Sequence, residues 1–161
     1  MGQFVENKEA LINMMDLLKN IDGRATQEAV EKVFRQYRTY MLTTSDDLMP
    51  TITTRYTLEM PNFSNAVSSK VENAAVEIAS FSGEYLKFMN WFNRGFNKLN
   101  KMERQLITLS YLEEDPRHNY EVYREMNVSE RTFYRMRNKA FHKLAISLGV
   151  EVYVDEEVMT S

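Results

Sequence analysis

The sequence predicts an all-α fold: a helical N-terminal region with one long central helix, followed by a C-terminal helix-turn-helix. Three observations carry that expectation. Apolar residues recur at three- and four-residue steps along most of the chain, the period of a helix packed on one face. Only five glycines and three prolines interrupt them. Asp-Gly, Asn-Val-Ser and Glu-Asp-Pro punctuation falls where the stripes end. The 161 residues suit one domain, or two small ones sharing helices, and 43% hydrophobic residues suffice for a core.

In 6–20, Leu11, Met14, Met15 and Leu18 form a stripe that Asp22-Gly23 stops. A second helix follows from about 26 to 42, with Thr26 as its expected cap and Ala29, Val30, Val33, Phe34, Tyr37 and Met41 on its apolar face. Together they make a helical hairpin over 6–42. Residues 43–66 contain eight Ser or Thr together with Pro50 and Pro61, which disfavour helix, so this is a connector. Its 24 residues exceed most connections, which marks it as either mobile or laid on a surface, with Ile52–Leu58 able to pair as a short strand.

One long helix is expected over 68–100, roughly 50 Å at 1.5 Å per residue. Its stripe runs Val71, Ala74, Ala75, Ile78, Ser82, Tyr85, Met89, Phe92, Phe96 and Leu99. Gly83 and Gly95 each cost about 1 kcal/mol there and mark a kink or a close helix contact. A second stripe of Phe81, Leu86, Phe88, Trp91 and Met102 needs covering, by the first two helices or by a second chain, so a homo-oligomer is expected. Trp91 and Phe92 read as core anchors.

Three shorter pieces fill 101–148. The first, about 102–113, buries Leu106, Ile107 and Leu109 or Leu112 before Glu114-Asp115-Pro116 ends it. The second, about 119–126, is expected to bury Tyr120, Tyr123 and Met126. After a tight Asn127-Val128 turn, Ser129 caps the third, with Glu130 favourable against the helix dipole. There Phe133, Met136, Ala140, Leu144 and Leu148 share one face; Glu130, Arg131, Tyr134, Arg135, Asn138 and His142 share the other. The organisation expected is thus a helical region over 1–100 for oligomerisation and interaction, a helix-turn-helix over 101–148, and an acidic tail over 149–161.

Composition excludes several function classes. With no cysteine there is no disulfide framework, zinc knuckle or thiol nucleophile. His118 and His142 match no metal-ligand spacing, and the glycines form no phosphate-cradling loop or nucleophile elbow. No metal, cofactor or enzymatic activity is therefore expected. No apolar run approaches the ~20 residues of a membrane helix, and MGQFVENKEA has no signal-peptide pattern. A cytoplasmic protein with no membrane partner is expected.

Net charge is −3, yet the average hides a pattern. Between 129 and 143, Arg131, Arg135, Arg137, Lys139 and Lys143 stand against Glu130 alone. A cationic stripe on a capped helix is the footprint of a DNA-reading element, although a solvated helix face leaves the same trace. The side chains suit the first reading: arginine bonds a guanine edge bidentately, asparagine an adenine edge, and lysine neutralises phosphates.

The segment NVSERTFYRMRNKAFHKLAISLG resembles region 4 of bacterial sigma factors, with Val128, Ser129, Phe133, Met136, Ala140, Lys143 and Leu144 in matching places. ERQLITLSYLE (103–113) is similar to the first helix of that region. The chain is also similar to the ArpU-like family of phage and prophage transcriptional regulators in SSKVENAAV (68–76), ERQLITLSYLE, SERTFYR (129–135) and LGVEVY (148–153). The resemblance implies activation of phage late genes for packaging, structure or lysis, in the cytoplasm of a bacterial host. Double-stranded promoter or operator DNA is the expected partner, with RNA polymerase beside it.

Carried over by position, Glu130, Arg131, Tyr134 and Arg135 face bases. Thr132 lies beside the phosphates. By their own chemistry Ser129 and Lys139 suit phosphates and Asn138 an adenine edge, and Arg104, Tyr120 and Arg124 are expected to reach phosphates from the supporting helices. Glu130 and Tyr134 depart from the sigma pattern, which usually has arginine there, so the usual −35 sequence is not the implied target. Two alternatives remain at this stage. One is a small terminase-like packaging subunit. The other is a polymerase or sigma adaptor that does not bind DNA and uses Glu113, Glu114, Asp115 and the acidic tail.

Overall fold

The computed structural model describes residues 6–11, 20–61 and 74–155, with side chains from residue 83 onward in the last stretch. Most of the first expected helix, the end of the connector, the start of the long helix and the last six residues lie outside the described residues. Residues 6–11 are helical. The described chain is mostly helical, with one small two-stranded sheet.

Helix α1 spans Gly23–Thr43 and starts earlier than expected, because Asp22 caps it. The Asp22 carboxylate accepts from the backbone N–H groups of Arg24 and Ala25, at 3.1 Å each. An ionised oxygen is a stronger acceptor than a hydroxyl for these orphan donors. Thr26, the expected cap, is instead buried in the first turn. Its hydroxyl accepts from the Val152 N–H at 2.9 Å and lies 3.3 Å from the Val152 carbonyl, to which it donates. The Asp22 N–H also donates to the Val152 carbonyl and the Val154 N–H to the Asn20 carbonyl, each at 2.7 Å, while Ile21 and Tyr153 form an antiparallel bridge. The described part of the acidic tail is therefore docked against the start of α1.

The connector is laid on the helices through Pro61, the last residue of it described. A 3-10 turn at Asp46–Leu48 leads into strands β1 (Thr51–Ile52) and β2 (Leu58–Glu59), antiparallel with Thr51 opposite Glu59 and Ile52 opposite Leu58. Tyr56 turns the chain at φ 58°. The Asn97 side chain then acts as a neighbouring strand: its oxygen accepts from the Leu58 N–H at 3.0 Å and its amide donates to the Leu58 carbonyl at 3.1 Å. Leu58 is buried beneath.

Helix α2, Ala74–Phe96, stops short of the expected end at 100, because the Asn100 side chain begins the next helix. Tyr85, Met89, Phe92, Phe96 and Leu99 form the expected buried stripe. Phe88 of the second stripe is covered by Tyr40 of α1, ring centroids 5.1 Å apart, whereas Met102 is exposed. Gly95 marks a close contact: a Cβ there would sit 2.5 Å from a terminal methyl of Leu148. Trp91 is only half-buried and donates to the Leu148 carbonyl at 3.1 Å, satisfying a helix C-terminus.

Helix α3, Lys101–Ile107, winds into a π-helical turn at Thr108–Leu112 that buries both Leu109 and Leu112. Helices α4 (Asn119–Glu125) and α5 (Glu130–Leu148) follow, and Gly149 ends α5 in the left-handed conformation at φ 70°. In α4 the fully buried residue is Val122, not Tyr120, whose ring is 48% exposed. The difference arises because α4 packs against both the π-helical turn and α5, which covers Val122 and Met126 and leaves Tyr120 outside. α5 packs against α1, α2 and α3, which buries Phe141 and Ala145 on a second face beside the expected one. The core runs without a break across the expected boundary at 100/101.

Burial has a titratable consequence. It pushes the Tyr85 hydroxyl up to about 12, and burial together with neighbouring Tyr85 pushes Tyr37 well above the usual phenol range. A raised native value means the folded chain holds protons that the unfolded chain releases near pH ~10. The stabilisation is complete below that pH and lost as pH rises through about 12. Alkaline titration by tyrosinate absorbance should show Tyr37 and Tyr85 ionising only as the circular dichroism signal collapses.

Candidate nucleic-acid interface

The junction between α4 and α5 is set by local chemistry. Met126 closes α4, Asn127 takes φ 56°, and the Val128 N–H donates to the Tyr123 carbonyl at 3.0 Å. Asparagine tolerates this left-handed conformation better than most side chains. Ser129 then caps α5 as expected, its oxygen accepting from the Thr132 N–H at 3.1 Å while its hydroxyl hydrogen goes to the Thr132 hydroxyl at 2.9 Å. Beneath the turn, the Phe133 ring meets Tyr123 edge-on at 5.9 Å, and Val122 and Phe133 are fully buried. Two helices are thus joined through a short ordered turn over a shared apolar contact.

The structure sorts the expected site residues by what already holds them. Glu130, Arg131, Arg135, Asn138 and Lys139 are exposed on α5. Arg131, Arg135 and Lys139 stand at steps of four on that helix, and none is ion-paired among the described residues. Tyr134 is half-buried: its hydroxyl accepts from the Asn119 amide at 3.3 Å, and the Arg137 guanidinium sits 5.0 Å from its ring centre. Ser129 and Thr132 are engaged with each other at the cap. On α4, Tyr120 is exposed, with the His118 ring stacked on it at 5.7 Å and the Arg124 guanidinium 5.6 Å from its centre.

Three cations leave the expected pattern. Arg137 turns inward over Tyr134 and Phe141. Lys143 donates to Glu103 at 2.8 Å, and that carboxylate is only 3% exposed. Glu103 is held in turn by a capping box, its other oxygen accepting from the Asn100 N–H at 2.9 Å. Arg104 is committed to backbone: it donates to the carbonyls of Tyr56 at 3.1 Å and Arg55 at 3.0 Å, and also to that of Leu99. It clamps the β-hairpin turn to the end of α2 rather than joining the α5 stripe. Arg104→Ala is expected to lower stability by about 2 kcal/mol in a denaturant melt, because charged donors to three backbone carbonyls are lost. The salt dependence of any DNA binding should not change.

Arg135, Asn138, Lys139, His142 and Lys143 line one shallow groove along α5. His142 and Lys143 lie outside the expected site residues, although steps of three and four from Asn138 and Lys139 lead directly to them. Nothing in the sequence pattern marks His118, since its partnership with Tyr120 depends on where α4 begins. A second cleft brings Asn138 and His142 against Ile21, Thr26 and Gln27 at the start of α1.

Fold and surface together define a small, mostly helical protein in which no described helix is long and apolar enough to cross a membrane. The chain is similar to protein Gp66 of Listeria phage A118, with 29% identity over 138 residues, 84% of this chain and 92% of the relative. It is also similar to the phage-related protein Lin1259/Lin1739 of Listeria innocua serovar 6a, with 24% identity over 135 residues, 84% of this chain and 94% of the relative. No family model matches the chain, and no solved structure matches it. Its relatives are thus phage and phage-related proteins that align over nearly their whole length.

Proposed function

We propose that this chain is a sequence-specific DNA-binding regulator of phage transcription, an activator of late genes that works in the bacterial cytoplasm by binding rather than catalysis. In this reading α4, the turn and α5 form a helix-turn-helix, and α5 enters the major groove. The observation that carries it is the exposed row Arg131, Arg135 and Lys139 on α5, not ion-paired among the described residues, while Arg137 and Lys143 of the same helix are already held. Arg131 and Arg135 read base edges, and Lys139 neutralises a phosphate. Exposed Tyr120 and Arg124 on α4 contact the backbone. Arg104, held by carbonyls, has no part in it.

The resemblance to ArpU-like regulators and to sigma region 4 supports the reading, as do relatives from a phage and a phage-related locus. A homo-oligomer would place a second α5 on a second half-site, and polymerase would be held beside the promoter.

The test is fluorescence anisotropy across a salt series, with DNA from upstream of the genes neighbouring its own and a scrambled duplex of equal length. Tight binding to one native segment, falling steeply with salt and far weaker for the scramble, is the expected result. Equal affinity for both duplexes would favour a packaging role, and no binding at low salt would favour an adaptor.

A further inference from the structure

A second surface, independent of what α5 binds, lies where the last turns of α1 meet the connector and the π-helical turn. Met41, Leu42, Met49, Ile52 and Leu112 give it an apolar floor, and Asp46, Glu113 and Glu114 edge it, with Arg38 the one cation among its lining residues. Leu42 is 79% exposed, the most exposed large apolar side chain described. On the final turn of α1 it lines the groove, and no cover for it is found among the described residues. Isolated exposed leucines are ordinary, but one set in an apolar depression with two methionines is an adaptable contact surface. Glu113 is partly neutralised by Arg117 at 3.3 Å, whereas Asp46 and Glu114 have no ion-pair partner among the described residues.

We infer that this groove docks an amphipathic segment of another protein, with an apolar stripe flanked by lysine or arginine. The apolar floor selects the stripe. The acidic edge selects the flanking charge and rejects an acidic segment by like-charge repulsion. An amphipathic helix offers such a stripe as anchors at i, i+3 or i+4, and i+7. A DNA strand is the wrong occupant, since its phosphates would face Asp46 and Glu114. The groove therefore gives the chain a protein-binding face built from different residues than its cationic one.

The test uses the full chain and a labelled synthetic helix of about 15 residues, with leucines at i, i+4, i+7 and i+11 and lysines elsewhere. Binding is read by anisotropy against two control peptides, one with glutamate for lysine and one with serine for leucine. The wild-type protein should bind the leucine-lysine peptide and neither control. Leu42→Glu should weaken binding about tenfold, and Asp46→Lys with Glu114→Lys should do so to a similar extent. These side chains are exposed, and circular dichroism should show the fold unchanged.

Equal binding by wild type and Leu42→Glu, or equal binding of the serine control, would overturn the proposal. Concentration-dependent self-association that Leu42→Glu abolishes would also overturn it, by assigning the groove to a second copy. DNA affinity of the same variants should be unaltered, so failure here is distinguishable from failure of the DNA-binding reading.

Discussion

Replacing Arg131 and Arg135 together by alanine is expected to abolish discrimination between the native and scrambled duplexes while leaving helix content intact. Both guanidinium groups are exposed and neither is ion-paired among the described residues, so their removal costs the fold little. Alanine is also the best helix former at such positions. A bidentate base contact is worth about 1–3 kcal/mol, so losing two should weaken specific binding by about 2–6 kcal/mol. Non-specific binding should fall far less, because Lys139, Arg124 and the α5 cap remain. Discrimination that survives the double substitution would remove α5 from the major groove. Lys139→Ala is the internal comparison, since a phosphate contact should weaken both duplexes alike and lower the salt slope by about 1.

Phe34→Ala should cost about 3–5 kcal/mol, the range for truncating a buried phenylalanine. Phe34 is 2% exposed, stacked on Tyr111 at 4.8 Å and edge-on to Phe141 at 5.7 Å. One ring from α1 thus touches both the π-helical turn and α5. Total stabilities run about 5–15 kcal/mol, so the loss is a large share. Because the core is continuous across 100/101, the Trp91 fluorescence and the far-ultraviolet circular dichroism should lose signal at the same lowered denaturant midpoint. Two separated transitions would mean that the N-terminal region and the α3–α5 unit are energetically independent. The variant should still bind DNA well below its midpoint, since Phe34 lies in the core.

Much of the fold was legible because its determinants are local. Val30, Val33, Phe34 and Tyr37 on α1, and Phe133, Ala140, Leu144 and Leu148 on α5, carry the helical period in their spacing. Ser129 reads as a cap because its partner is three residues away. Prolines and hydroxyl residues disfavour helix in the connector, but the single strand expected over Ile52–Leu58 is instead a hairpin, Thr51–Ile52 against Leu58–Glu59 with the turn at its middle. Tyr56 takes a left-handed φ there that the sequence pattern does not mark. The cap of α1 is legible only in part: Asp22, with the stronger acceptor, takes the first N–H groups, while the Thr26 hydroxyl is engaged by Val152, a partner 126 residues away. Tyr120 was misplaced because a seven-residue helix offers too few apolar positions to fix its buried side.

The candidate site divides along the same line. Residue type and period alone put Arg131, Arg135, Arg137, Lys139 and Lys143 on one basic helix after a capped turn. Periodicity is blind to which cations are already spent, because a charge is neutralised by whatever packs beside it. Lys143 is held by Glu103 from 40 positions upstream, and Arg104 by carbonyls 48 and 49 positions upstream. Helices, caps and turns follow from interactions within a few residues and so are written in sequence order. Which cations of α5 are held, the docked tail and the acid-edged groove beside Leu42 follow from contacts between distant segments, and only the packed chain decides them.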